Sequence, residues 1–462
     1  MAPLRVLASL YALTGLVNSL AVTPKWSSTC STSQPGLAQV ALDEALSLFE
    51  FERGAEADAP DLVILCVGQP FEKRFVELAD AAAARLGAKV LVSVLGGGVV
   101  GGGREHEFEP CISVLGGALP PGTEASPFVL GRRAPGAPFD SDNWSKVVAP
   151  LFSRLQRTEA HAKPAAFLLF GDPQSAIDTA VEFIDESCPT SVVVGGLTCP
   201  LQRDVPSIAL HEDGAARTVT PGSVVGVALR GPRLEVHSIT AQGAVGVGPV
   251  MRVTACPRPN VIAQLDGKKA VDRLRECAAE AVAAQPRLDA QMKTGVLVGV
   301  SNRGLREGAA AVVDDGFLVR AVAGATTDGS LVIGDGKIRA GSTLQLHVRD
   351  GDAARADLRQ VLQRYALERA FAYSPGANPL AVFLVACSGR GEALFGNRGH
   401  DSDAIRAAFD YAVPVGGFFA NGELGPIAAT AAADEQKATH LHGFTSVAAI
   451  LYDSGDAENG GG

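Results

Sequence analysis

Lysine and arginine never gather in this chain. Forty basic side chains stand against fifty acidic ones, the formal net charge is −10, and no basic run exceeds a pair or two such as Lys268-Lys269. Phosphate neutralisation needs clustered cations, so nucleic acid is excluded as the main partner. The eight cysteines form no C-x-x-C pair, and several sit in apolar runs such as Leu65-Cys66-Val67 and Cys111-Ile112. They read as buried free thiols and not as a disulfide framework. The G-x-x-x-x-G-K-[ST] phosphate loop, the G-x-S-x-G elbow and H-E-x-x-H are all missing. "GGGVVG" at 96–101 matches G-x-G-x-x-G, but a turn and a strand follow it where a dinucleotide fingerprint needs a helix N-terminus. Past the amino terminus no apolar run is long enough to span a membrane.

What is present is a globular body. Of 462 residues, 47% are hydrophobic and 19% charged, enough for two or three domains with real cores. Fifty-two glycines imply many turns and close backbone approaches. Residues 1–34 are set apart. Arg5, an apolar stretch from Val6 to Val22 and the acid-free "TPKWSSTCSTSQ" are the pattern of a signal peptide or a bipartite plastid presequence. They predict targeting to the plastid or the secretory pathway and no membrane association after processing.

From Leu37 onward a strand–helix–strand grammar repeats. "DLVILCVG" is a buried strand, "FEKRFVELADAAAARLG" a helix closing at Gly87, and "AKVLVSVLGGG" a strand running into glycines. "AAFLLFGD" is a strand, and the helix after it is predicted to start with Asp172 as N-cap and Pro173 at N1. "LAVFLVACSGRG", "DSDAIRAAFDYA" and "VPVGGFFANGELGP" repeat the order near the carboxyl end. The second and third blocks align as an internal duplication. The expected fold class is α/β, with two related domains of strand-helix-strand units in mixed, largely antiparallel sheets. The domains are predicted at 35–258 and 259–452, followed by a disordered tail at 453–462. Between the blocks, "FLVRAVAGATTDGSLVIGDGKIRAGSTLQLHVRD" alternates and carries Asp-Gly hairpin signals at 328–329 and 335–336. Residues 120–142 read as a long Pro/Gly-rich insertion.

Three constellations invite chemistry. Cys387 ends a strand beside Arg390, where a cation and turn N–H groups are expected to lower its pKa; with His442 as base it is a weak nucleophile candidate. It is not a C-x5-R phosphatase loop, because Arg390 follows after only three residues. His440 and His442 share one strand face, and Glu105, His106 and Glu107 cluster; both read better as polar surface than as a metal site, and no cofactor is expected. Arg390 and Glu423 lie on glycine-framed turns of one block. They either pin those turns as an ion pair or hold a zwitterion, Arg390 taking a carboxylate and Glu423 an amine.

"CSGRG" at 387–391, "PVGGFFANGELGP" at 414–426 and "LHGFT" at 441–445 together resemble the FIST family, the F-box and intracellular signal transduction proteins. "GGGVVGGGREHE" and "VVVGGLT" resemble its first domain more loosely, and the resemblance covers about Asp61 to Leu451. It implies a FIST-N and a FIST-C domain and a non-enzymatic role sensing small ligands such as amino acids. The ligand wall it implies comprises Cys387, Gly389, Arg390, Gly391, Phe418, Gly422, Glu423, Gly425, His442 and Thr445. Some members follow an F-box and recruit proteins for ubiquitination. This chain shows no F-box pattern, so a scaffold or adaptor with a protein partner is the alternative expectation.

Overall fold

The computed structural model describes residues 26–54, 56–131, 165–293, 295–301, 316–334, 337–372, 377–427 and 438–455. The fold is α/β with mixed, largely antiparallel sheets, as the sequence predicts. The repeated unit occurs three times across the two expected domains, once more than the sequence alignment shows. Each copy has a leading strand, a first strand, a helix, a second strand parallel to the first, a hairpin, and a closing strand antiparallel to the first. The first and second strands are Leu62–Gly68 and Val90–Gly96, then Ala166–Gly171 and Val192–Leu197, then Asn378–Cys387 and Val415–Ala420. Their crossover helices are Phe75–Leu86, Ile177–Ser187 and His400–Ala408. Parallel neighbours require such a crossover, and burial on both faces explains their continuous apolar runs.

The hairpins are exchanged in a cycle. The first module's hairpin (98–107) adds to the third sheet, the third module's (423–442) to the second sheet, and the second module's (208–217) to the first sheet. Three six-stranded sheets result, with one strand order in common. At the crossing points, three equivalent backbone bonds close a ring. Gly97 donates to Phe419, Asn421 to Leu197 and Cys199 to Leu95, each at 2.9 Å. The inner faces share one core, in which Ile64 and Val92 of the first sheet meet Leu168, Phe170 and Val194 of the second and Phe383, Val385 and Phe418 of the third. Helices cover the outer faces.

Into the third module, between its leading strand Leu234–Gln242 and the helix Gly351–Ala372, is inserted an eight-stranded sheet. Its strands Leu318–Ala325, Leu331–Ile333 and Thr343–Arg349 are the alternating stretch seen in the sequence, and the helix Ala270–Ala284 packs on the sheet through Leu274 and Cys277. The 328–329 signal forms its turn; the 335–336 signal lies outside the described residues.

Several local readings are corrected. The strand Trp26–Thr32 pairs along its whole length with Cys111–Gly117, so part of the segment set aside as targeting belongs to the fold. Trp26 is buried and its indole N–H donates to Ala118 O at 2.7 Å, which the polar run around it conceals. Residues 1–25 of that segment lie outside the described residues, as does the tail from 456. The supposed insertion contains the leading strand Glu124–Leu130. The second crossover helix starts at Ile177. Asp172 instead caps two turns, accepting from the backbone N–H of Gln174 (2.7 Å) and of Gly222. The helix Gly351–Ala372 has no counterpart in the sequence reading.

Candidate functional site

The turn after the strand Asn378–Cys387 closes through Arg390 N–H to Cys387 O (2.8 Å). Gly391 leaves it at φ 79°, and a Cβ there would fall 2.2 Å from a Glu107 carboxylate oxygen. Only glycine fits both demands. Arg390 thereby points inward and is wholly buried. Its Nε and Nη2 donate to Asp401 Oδ2 (2.6 Å) and Oδ1 (2.9 Å), a bidentate pair, and the Phe395 ring lies 5.2 Å from its Cζ. Burial alone would raise the Asp401 pKa. The Arg390 charge and the His400 bond (3.1 Å) overcome it and hold the carboxyl well below its usual range. Arg390 therefore does not pair with Glu423, as one reading of the sequence expected. Its partner is an acid in the first turn of the helix His400–Ala408, which nothing in the sequence separates from an ordinary first-turn acid.

Glu423 opens the hairpin strand that the third module lends to the second sheet, and it too is fully buried. Oε2 accepts from Thr445 N–H (3.1 Å) and Oγ1 (2.8 Å), bracing the second sheet against the third. Burial pushes its pKa up to about 8, and the bonds from Thr445 and Cys387 and the Arg390 charge offset this only in part. Among the described residues, two atoms of the nest meet no hydrogen-bond partner: Arg390 Nη1 and Glu423 Oε1. Such orphans are uncommon in buried protein and expensive, at about 1–3 kcal/mol each.

Cys387 lies in this nest, with Gly389 N–H 3.4 Å from its sulfur. Activation was expected, but burial and the neighbouring Glu423 push the thiol far above its ordinary value, against the weaker pull of the backbone N–H groups and Arg390. His442 supplies no base. Its Nε2 bonds Gly425 O at 3.0 Å, and burial lowers its pKa to about 3. Phe418 stands apart in the shared core, 6.3 Å from the rings of Phe170 and Phe383. Gly389 O accepts from Arg349, and Gly422 O accepts from Leu197 N–H at 2.8 Å, so both act through backbone. Glu105 and Glu107, read as polar surface, instead cap helices of another module. Glu107 accepts from Glu392 N–H (2.8 Å) and Glu105 from Ser402 N–H (2.7 Å), and burial followed by the Asp401 charge raises Glu105 to about 7. No group of three or more metal-ligating side chains occurs among the described residues.

The FIST N domain family matches residues 61–268 and the FIST C domain family residues 270–426. An uncharacterized protein of Mycobacterium tuberculosis is 30% identical over 396 residues, covering 85% of this chain and 92% of that protein. An uncharacterized protein of Mycobacterium bovis is 30% identical over 402 residues, covering 86% and 92%. The chain belongs to the FIST family, whose domains are in general sensory domains of signal transduction. Between them the two matches span all three modules' parallel strands and the inserted sheet.

Proposed function

We propose that this protein binds a small amino-acid-like ligand as a sensor, without turning it over, in the nest of Arg390 and Glu423. The observation that carries this reading is the pair of buried orphan atoms, Arg390 Nη1 and Glu423 Oε1, on a guanidinium and a carboxyl that two different sheets bring together. A ligand carboxylate answers the first and an ammonium the second. The deactivated Cys387 and the engaged His442 favour binding over thiol chemistry. Full burial means the ligand is enclosed, so binding and release are linked to a shift between the second and third sheets. Such a shift is what a sensor transmits to a protein partner. The compartment proposed is the plastid or secretory pathway, on the pattern of the amino-terminal segment.

Calorimetric titration with the free amino acids tests this. Below pH 8 the free nest holds a proton on Glu423, which an ammonium must displace. Affinity is expected to rise about tenfold per pH unit between pH 6 and 8, with one proton released per ligand. Glu423→Gln should abolish both binding and proton release. Absence of binding to every amino acid across that range would end the reading.

A further inference from the structure

A second feature lies on the opposite face of the same strand region. A cleft of about 740 Å³ opens between the Leu234–Gln242 strand with its continuation, the inserted sheet, and the helix Gly351–Ala372. Its volume is that of a small-molecule site. Thr240, Gln242 and Ala244 line it at the alternate positions of one strand face. Across from them stands His347, and Asp357, Gln360, Val361 and Arg364 form a single helix face at i, i+3, i+4 and i+7.

The polar groups of this cleft are unequally satisfied. Thr240 is 3% exposed, and its hydroxyl has no hydrogen-bond partner among the described residues. The His347 ring is 6% exposed, and burial lowers its pKa, so it is neutral near pH 7. Gly299 N–H, whose proton has a fixed position, lies 3.1 Å from Nδ1. Nδ1 also lies 3.1 Å from Gln345 O, so two backbone groups already engage this nitrogen. Arg364 forms no ion pair with any described residue. Asp357, the cleft's acid, already accepts from Gln242 N–H at 2.6 Å. The donors left without a partner among the described residues are Arg364 and the Thr240 hydroxyl, beside the apolar surfaces of Phe317, Val319 and Ile427.

We infer that this cleft is a second small-molecule site, for an organic carboxylate with an apolar body. The carboxylate meets Arg364 and the Thr240 hydroxyl, and the body rests on Phe317 and Val319. The site is separate from the nest but backs onto it. A Cβ at Gly243, between the cleft residues Gln242 and Ala244, would lie 2.9 Å from Arg390 Nη1.

The test is calorimetric and thermal-shift titration of the full chain with 4-methyl-2-oxopentanoate and 3-phenylpropionate, at constant ionic strength. Neither probe has an ammonium, so neither fits the nest as proposed above. Saturable binding is expected. Arg364→Gln, on the exposed helix face, and Thr240→Val, which keeps the side-chain shape, should each weaken it about tenfold or more. Glu423→Gln should leave it unchanged. The inference is overturned if neither probe binds, or if the two cleft variants bind like the parent. Loss of binding in Glu423→Gln alone also overturns it, by placing the carboxylate in the nest. Amino-acid binding that survives the cleft variants keeps the nest reading whichever way this result falls.

Discussion

At the residue scale, charges without water govern this protein. Asp401 is the counter-ion of a fully buried guanidinium. Asp401→Asn leaves Arg390 charged and unmatched, and is expected to cost about 3–5 kcal/mol in urea unfolding. Glu423 has the opposite dependence on charge. Its folded pKa lies above the ordinary 4.5, so the folded state binds the proton more tightly and the group's contribution to stability is lost as pH rises towards 8. Glu423→Gln removes that loss. Relative to the parent, the variant should gain up to about 1.4 kcal/mol of stability per pH unit between pH 6.5 and 8. That window avoids His442, which, with its lowered pKa, destabilises the fold only as pH falls below about 6.5. A flat difference between variant and parent would mean that Glu423 is ionised in the fold. Gly391→Ala should destabilise by at least about 1–3 kcal/mol, since it meets both a left-handed backbone and the Glu107 carboxylate.

At the scale of elements, the first strand gives the sharpest prediction. Trp26–Thr32 is seven residues of sheet, with a buried Trp at its start. Relative to a chain beginning at Lys25, one beginning at Pro35 should lose at least the roughly 3–5 kcal/mol of truncating a buried Trp, read as a lower Tm or as insolubility. Equal melting of the two would remove this strand from the stable fold. The hairpin 98–107 matters in the same way, because its carboxylates cap two helices beside Arg390. Its glycines serve a strand exchange, and no phosphate-binding role is needed to account for them.

On the scale of the whole molecule, exchange of the three hairpins couples the sheets. Each six-stranded sheet contains strands from two modules, and one core spans all three. The FIST N match at 61–268 cannot complete its second sheet without strands 423–426 and 439–442 of the carboxyl half. Differential scanning calorimetry is expected to show one cooperative transition for the three-module core, with calorimetric and van 't Hoff enthalpies in agreement. Two resolved transitions that divide near residue 268 would contradict the exchange. The nest sits where the second and third sheets meet, so under the proposed function the same topology would give an enclosed ligand a mechanical route to the rest of the protein.

Local pattern determined much of this protein. Continuous apolar runs marked the parallel strands, Gly87 ended its helix in a left-handed cap, and the short motifs at 387–391, 414–426 and 441–445 carried the family. These are readable because strand burial, helix caps and tight turns depend on neighbours in the chain. Tertiary structure alone decided the rest. Trp26 became core through a strand 85 residues or more away. Arg390 took Asp401 and not Glu423 because a crossover helix delivers its first turn to that point. The cyclic exchange was hidden because hairpin partners are chosen by packing across sheets. Side-chain pKa values followed burial, which no spacing rule encodes, and so Cys387, placed by sequence beside a cation, is a buried, deactivated thiol.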